Sequence, residues 1–304
     1  MANDTDEFRY LPAQAAALGT DLPAAERLSL TLPDGRALSA IRYGEGEPEA
    51  TLLHGAGLNA HTWDTTVLLL RRPTLVIDLA GHGDSSWRED IDYTPHTLAD
   101  DVVVALQTWT ARPQVLVGQS LGGLTAAAVA AAHPELVAAL MIVDITPGID
   151  TAAAPAVLAR FYEQTDFATR DEAVDRAISH GFGGTRPDTE RGVFLNTRVR
   201  DDGRVEWKHH FAHLAAHALG AVPERPEAAV VRADQGWADL ASVRAPIAFV
   251  RGASGFVSEG DMAEFAHRVP AASIVTLDAT HNVQETAPAE LAALISDRLD
   301  ATPR

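Results

Sequence analysis

Cysteine is absent from the 304 residues. Its absence removes disulfides, thiolate metal sites and cysteine nucleophiles at once. Lysine is nearly absent too: Lys208 is the only one, and arginine supplies the remaining basic residues. Set against 42 acidic residues, the 24 basic ones leave a formal net charge of −18, and they form no cluster or stripe. Such a surface repels phosphate backbones, so nucleic acid is not expected as a partner. Long hydrophobic runs are also missing. The apolar stretch AAAVAAAHPELVAAL is interrupted by His133, Pro134 and Glu135, so no membrane span is expected. The opening MANDTDEFRY is acidic and has no basic segment leading into an apolar one, which is not the pattern of a secretory signal. A cytoplasmic enzyme is the expectation.

What remains is ordinary for a globular chain: 46% hydrophobic and 22% charged residues, enough to bury a core. The length exceeds the usual ~100 to 200 residues per domain and suits one α/β domain carrying an insertion. Residues 26 to 43 alternate apolar and polar on both sides of Pro33-Asp34-Gly35, the pattern of an antiparallel hairpin. Four short apolar runs follow, each closed by a turn: ATLLHG (50 to 55), TLVIDLAG (74 to 81), QVLVG (114 to 118) and ALMIVD (139 to 144). Continuous runs separated by helix-like segments predict parallel strands buried on both faces. One of those segments, 97 to 110, has helical spacing and takes Thr97 as its cap.

After Pro147-Gly148 the pattern changes for about ninety residues, with amphipathic pieces and a hairpin signal at Asp202-Gly203. The core pattern resumes with PIAFVRG (246 to 252) and SIVTLDATH (273 to 281) and closes with a helix at about 288 to 299. The expected organisation is an N-terminal extension over 1 to 25, loosely attached; a core formed by 26 to 148 and 239 to 304; and a mainly helical cap over 149 to 238.

Gly118-Gln119-Ser120-Leu121-Gly122 is a G-x-S-x-G placed directly after a predicted strand and before a predicted helix. Flanking glycines permit a strained turn that lifts a serine hydroxyl above the sheet, and the helix that follows aims its first amides at the same spot. Ser120 is the candidate nucleophile. Upstream, His54-Gly55-Ala56-Gly57 ends another strand; a backbone N–H from its loop, assigned to Ala56, together with that of Leu121 makes a candidate oxyanion hole. His54 in that strand exit also reads as a purely structural ring. Of the twelve histidines, only His281 follows the serine at the end of the final predicted strand, where a Ser, acid, His order requires the base. His209, His210, His213 and His217 read as solvated or lid residues. A zinc pair from His209 and His213 lacks an accompanying acid, so no metal is expected. Asp78, His82 and Asp84 read as turn-shaping.

With these residues in view the chain resembles the α/β-hydrolase superfamily. The likeness is carried by HGAG (54 to 57), DLAGHGDS (78 to 85), GQSLGG (118 to 123), VDITPG (143 to 148) and ATH (279 to 281), and it extends over about residues 26 to 300. It implies an α/β-hydrolase fold, with a mostly parallel central sheet flanked by helices and an inserted cap. The set specifies fold more sharply than substrate. Serine at 120 disfavours the dehalogenase and epoxide hydrolase chemistries of this fold, which use aspartate there.

Many members carry the acid in the turn after strand seven, but here RGASGFVSEGD (251 to 261) places Gly255 at that position. Asp261, three residues after Ser258, reads as half of a variant capping box, with Glu259 in the same first helical turn. Asp278 would have to fold back from its own loop onto His281. Asp144 ends the sixth strand, at the carboxyl edge where catalytic groups gather, 24 residues beyond Ser120. The chain is similar to small bacterial esterases that pair VDI-x-P after strand six with a strand-seven turn lacking the acid. That resemblance implies the triad Ser120, Asp144, His281, with the strand-seven turn as the alternative.

The expected function is hydrolysis of a carboxylic ester or lactone through an acyl-serine, with no metal or organic cofactor and a small molecule as substrate, the oligomeric state being left open. Perhydrolase or C–C bond hydrolase chemistry would use the same residues, and a non-catalytic receptor on this fold is a third reading. Gly57, Gln119, Phe161, Phe182 and Trp207 are candidates for lining the pocket, the aromatic ones serving equally well as a small core for the cap.

Overall fold

The computed structural model describes residues 6–149, 160–218 and 226–302. In chain order the strands are β1 (Ala25–Thr31), β2 (Ala37–Tyr43), β3 (Ala50–Leu53), β4 (Thr74–Asp78), β5 (Gln114–Gln119), β6 (Val137–Val143), β7 (Asp166–Phe167), β8 (Thr197–Val199), β9 (Val205–Trp207), β10 (Ile247–Ser254) and β11 (Ser273–Thr280). Eight of them form one sheet in the order β1-β2-β4-β3-β5-β6-β10-β11. The β1–β2 hairpin is antiparallel and joins β4 antiparallel; every other neighbouring pair is parallel.

The apolar runs become strands because both faces of the sheet are covered. On β6, Leu140 and Ile142 point into a core shared with the helices Pro95–Trp109 and Leu121–Ala132, while Ala139, Met141 and Val143 point into the opposite one, shared with Asp64–Leu70 and Pro288–Ala301. Helix Leu121–Ala132 is built from glycine and alanine for a steric reason. A Cβ on Gly122 would meet the carbonyl oxygens of Leu53 and His54, and one on Gly123 would meet Ile145. The helix therefore lies almost against the strand ends that carry the site.

β10 pairs directly with β6, so residues 144 to 246 leave the sheet and return to it. Within this excursion β7, β9 and β8 form a separate three-stranded sheet, and β8 and β9 are the hairpin expected at Asp202-Gly203. Beside them lie the helices Arg170–Ser179 and Arg186–Asn196. The described part of the cap is thus mainly helical, with this small sheet added. Helix Pro226–Ser242 runs across position 238 and places Trp237 and Leu240 against the main core. Part of the amphipathic stretch APAVLARFYEQT, residues 154–159, lies outside the described residues.

Two expectations need correction. The helix expected from Thr97 starts at Pro95, and Thr94 is its cap, accepting a hydrogen bond from the Thr97 N–H. Proline at the first helical position forgoes no hydrogen bond, so it fixes the start two residues earlier. The N-terminal extension is not loosely attached: helix Leu11–Leu18 buries Leu11 and Ala15 in the main core, and Glu7 pairs with Arg27. Leucine burial of this kind contributes roughly 1.5–3 kcal/mol. Among the described residues no helix is long and apolar enough to cross a membrane.

Candidate active site

Ser120 follows β5 directly and has φ 53° and ψ −123°, a region costly for any residue with a side chain. Its N–H donates to the Val143 carbonyl at 3.0 Å, tying the turn to the end of β6. A Cβ on Gly118 would collide with the backbone of Gly122, so glycine at both flanks is what lets the strand turn straight into the helix. The 54–57 loop runs against this turn, since a Cβ on Gly55 would lie 3.1 Å from the Ser120 Cβ. Residues 55 to 58 close a turn through Leu58 N–H to the Gly55 carbonyl at 3.2 Å, with Gly57 at φ 78°, the sign a type II turn requires at that place. Ala56 is thus next to the residue that faces the serine, and Leu121 opens the helix behind it.

His281 directly follows β11, and its Nδ1 lies 2.8 Å from the Asp144 Oδ2. Asp144 is completely buried and left-handed, with φ 50°; its N–H is held by the Val250 carbonyl at 2.8 Å. Two backbone donors also reach its carboxylate: Gly252 N–H to Oδ1 at 2.9 Å and Phe256 N–H to Oδ2 at 2.8 Å. An acceptor with these partners requires the proton on His281 Nδ1, which leaves Nε2 with a free lone pair. Phe256 stacks on the imidazole, centroids 3.7 Å apart and planes at 15°.

The competing carboxylates are elsewhere. Asp261 completes a capping box with Ser258, accepting from its N–H at 2.9 Å and its hydroxyl at 2.6 Å. Glu259 and Asp278 are exposed. Of all these groups, Asp144 alone is hydrogen-bonded to His281.

Other expected site residues are placed differently from one another. Gln119 does not line a pocket: it is fully buried, and its Nε2 donates to the His281 carbonyl at 3.0 Å, bracing the histidine loop from below. A side chain alternating inward at the end of a strand buried on both faces has that fate. Phe161 and Trp207 are buried in the apolar cluster of the cap, with Phe182 packed against it, and Phe161 touches both. Gly57 faces the Tyr162 hydroxyl, 3.5 Å from where its Cβ would be. His54 is structural: Leu79 N–H donates to its Nε2 at 3.0 Å and its Nδ1 bonds the Gly55 carbonyl at 2.8 Å. Burial keeps its pKa low and the ring neutral. His209, read as a solvated or lid residue, is a buried residue of the cap, 1% exposed. Among the described residues no group of three or more metal-binding side chains converges.

One feature had no motif to announce it. Asn59, in the loop after Gly57, sends its amide to the Leu195 carbonyl at 3.1 Å and the Asn196 side chain at 2.7 Å, both at the end of helix Arg186–Asn196. Arg191 of that helix bonds the His61 carbonyl at 2.9 Å and Asp64 at 2.7 Å. His61 in turn lies between Asp64 and Glu7, each at 3.1 Å, and Arg27 joins Glu7 to the buried Asp78. Asp78 accepts from the N–H groups of Ala60 at 2.7 Å and Asp84 at 3.1 Å. Lys208 closes the seam from the cap side with a 2.9 Å ion pair to Asp84. The partners are up to 137 positions apart, which is why no local pattern reveals them.

The family model of the alpha/beta hydrolase fold matches residues 51–288. Esterase Rv0045c of Mycobacterium tuberculosis is 33% identical over 306 aligned residues, covering 97% of this chain and 96% of that protein. A solved structure of that esterase superposes with a TM-score of 0.81 at 32% identity, over 98% of this chain and 100% of that one. A 2-(acetamidomethylene)succinate hydrolase of Mesorhizobium japonicum is 25% identical, over 93% of this chain and 99% of that protein. With this sheet order, this serine turn and a family match across most of its length, the chain belongs to the α/β-hydrolase fold family.

Proposed function

We propose that the chain hydrolyses a carboxylic ester or lactone through an acyl-enzyme formed on Ser120, with His281 as base and Asp144 as its acid partner. That it is an ester hydrolase rests on its likeness, along nearly the whole length, to a named esterase. The observation that carries the triad reading is the 2.8 Å contact between His281 Nδ1 and the buried Asp144 carboxylate. The pairing of Gln119 with Val143 puts Ser120 and Asp144 at adjacent strand ends.

In the proposed cycle His281 Nε2 takes the Ser120 proton as Oγ adds to the ester carbonyl. The oxyanion accepts from the N–H groups of Leu121 and Ala56, and Asp144 stabilises the imidazolium. Collapse breaks the bond to the alcohol oxygen, which leaves with the proton held by His281. The same base then activates water, and a second tetrahedral intermediate releases the acid. None of these steps draws on an organic cofactor. In a lactone the alcohol and acid stay joined, so the product is a hydroxy acid.

The test compares p-nitrophenyl esters and lactones on the wild type, Ser120→Ala and Asp144→Asn. Ser120→Ala is expected to abolish turnover and labelling by a serine-directed phosphonate. Asp144→Asn is expected to lower kcat by roughly 10³ to 10⁴ with the fold intact. Near wild-type turnover in Asp144→Asn, with loss in Asp261→Asn, would assign the acid to the strand-seven turn instead.

A further inference from the structure

Buried polar atoms without partners gather around one ring of the cap. The Ala212 N–H is shared between the His209 carbonyl at 3.3 Å and His209 Nδ1 at 3.2 Å. A ring nitrogen that accepts carries no proton, so the proton of the neutral imidazole is on Nε2, 3.3 Å from the Tyr162 hydroxyl oxygen. Burial holds the His209 pKa far below its ordinary value and pushes that of Tyr162 up, so the first stays neutral and the second keeps its proton. Tyr162 therefore receives a hydrogen bond from His209. Its own O–H has no acceptor among the described residues, although the residue is buried.

Two more such atoms adjoin the same ring. His82 stacks on His209 at 6.2 Å and 17°; its Nδ1–H donates to the Ala80 carbonyl at 3.1 Å, and its Nε2 is left as a buried acceptor with no partner. Burial lowers its pKa to about 3, so it too is neutral. The Trp207 ring lies 5.9 Å from His209 and 6.2 Å from Tyr162, and its Nε1–H is buried without an acceptor. Buried polar groups of a folded protein are nearly always bonded, and exceptions call for a reason. Here two donors and one acceptor, all uncharged, share one aromatic cluster, and the Tyr162 hydroxyl stands over Gly57 of the loop that touches Ser120.

We infer that Tyr162 is a specificity residue, donating a hydrogen bond to a neutral oxygen that the substrate carries apart from its scissile carbonyl. Hydroxyl, ether, ketone and amide oxygens share the required chemistry. A carboxylate fits less well, because nothing in this cluster neutralises it. The inference rests on the acyl-serine reading and names the class of ester that the site prefers.

The experiment uses p-nitrophenyl hexanoate and a series in which successive methylenes of the acyl chain are replaced by an ether oxygen or a ketone. Wild-type kcat/KM is expected to favour at least one oxygen analogue over the hydrocarbon parent by about tenfold, the size of one good hydrogen bond. Tyr162→Phe is expected to bring that ratio to within about twofold of unity while the parent ester changes by less than about twofold. Equal losses on both substrates would show a structural role and overturn the inference. So would a wild-type ratio flat along the whole series, a result that stands even if the variant fails to accumulate. Hydrolysis lost in Ser120→Ala with a flat ratio overturns the Tyr162 inference alone. Hydrolysis surviving in Ser120→Ala overturns the acyl-serine reading and this inference with it.

Discussion

The Asp144 carboxylate occupies the space into which a side chain on Gly255 would grow: a Cβ built there would overlap the carboxylate carbon and both oxygens. The two residues are alternatives for one volume. The backbone around Gly255 is shaped to hold an acid, with the N–H groups of Gly252 and Phe256 donating to the carboxylate that arrives from β6. Gly255→Ala is expected to displace Asp144 and lower kcat by about 10²-fold, the effect of a misplacement near 1 Å, with an unchanged circular dichroism spectrum. The exchange Asp144→Gly with Gly255→Asp is expected to recover part of the turnover that Asp144→Gly loses. Left-handed φ at 144 suits the glycine. Steady-state kinetics on the three variants check both outcomes.

Ser120 stores backbone strain at φ 53° and ψ −123°, on the order of 1–3 kcal/mol. Ser120→Gly removes both the hydroxyl and the strain, whereas Ser120→Ala removes only the hydroxyl. Both are expected to be inactive, and calorimetry is expected to show Ser120→Gly melting a few degrees above Ser120→Ala. Equal melting temperatures would mean that the turn is not strained by its side chain.

Arg191 and Asn59 fasten the loop beside Ser120 to the cap helix. Arg191→Met leaves Asp64 buried without its arginine; His61 and Tyr43 still bond the carboxylate, so the cost stays below the ~3–5 kcal/mol of a broken buried pair. The expected result is a melting point lower by several degrees and a kcat reduced by roughly tenfold as the loop loses its register. Both bonds leave a single nitrogen, Nη2, and an ammonium has donors enough for both acceptors, so Arg191→Lys is expected to restore part of each.

Stability should fall at both ends of the pH scale through Glu7 and His61. Burial opposes charge on Glu7, but hydrogen bonds from His61 and Arg27 outweigh it and bring its pKa from 4.5 to about 2. The stabilisation from Glu7 is therefore complete above pH 4.5 and lost as pH falls toward 2. Burial likewise opposes charge on His61, and Asp64 and Glu7 overcome it, raising its pKa above 6.5. Its contribution is complete below pH 6.5 and disappears as pH rises through the raised value. Arg27 and Arg191, with the neutral hydroxyl of Tyr43, complete the surroundings. Melting curves from pH 3 to 9 are expected to show both declines. In Glu7→Gln the acid decline should shrink and the alkaline one should begin nearer pH 6.5.

The core sheet was legible because each strand is a short apolar run closed by its own turn, and the candidate nucleophile because two glycines flank one serine between a strand and a helix. His281 was legible by its place after the last strand, and Asp144 by the glycine at 255 together with the resemblance; the two lie 2.8 Å apart. Gln119 was misread as a pocket residue because sequence does not say which way the last residue of a doubly buried strand points. The Glu7, His61, Asp64 and Arg191 network left no trace in the sequence: its members come from three distant segments, and each alone looks like a surface charge. Burial of His209 was hidden for a similar reason, since the rings around it, Tyr162 and His82, come from other segments of the chain.

Lys208 is the only lysine, and its ammonium is engaged by Asp84 across the seam between the excursion and the sheet. An amine-directed reagent therefore finds a single side chain, placed where the two parts meet. Its rate of acylation becomes a built-in gauge of how often that seam parts, readable by mass spectrometry on the unaltered protein.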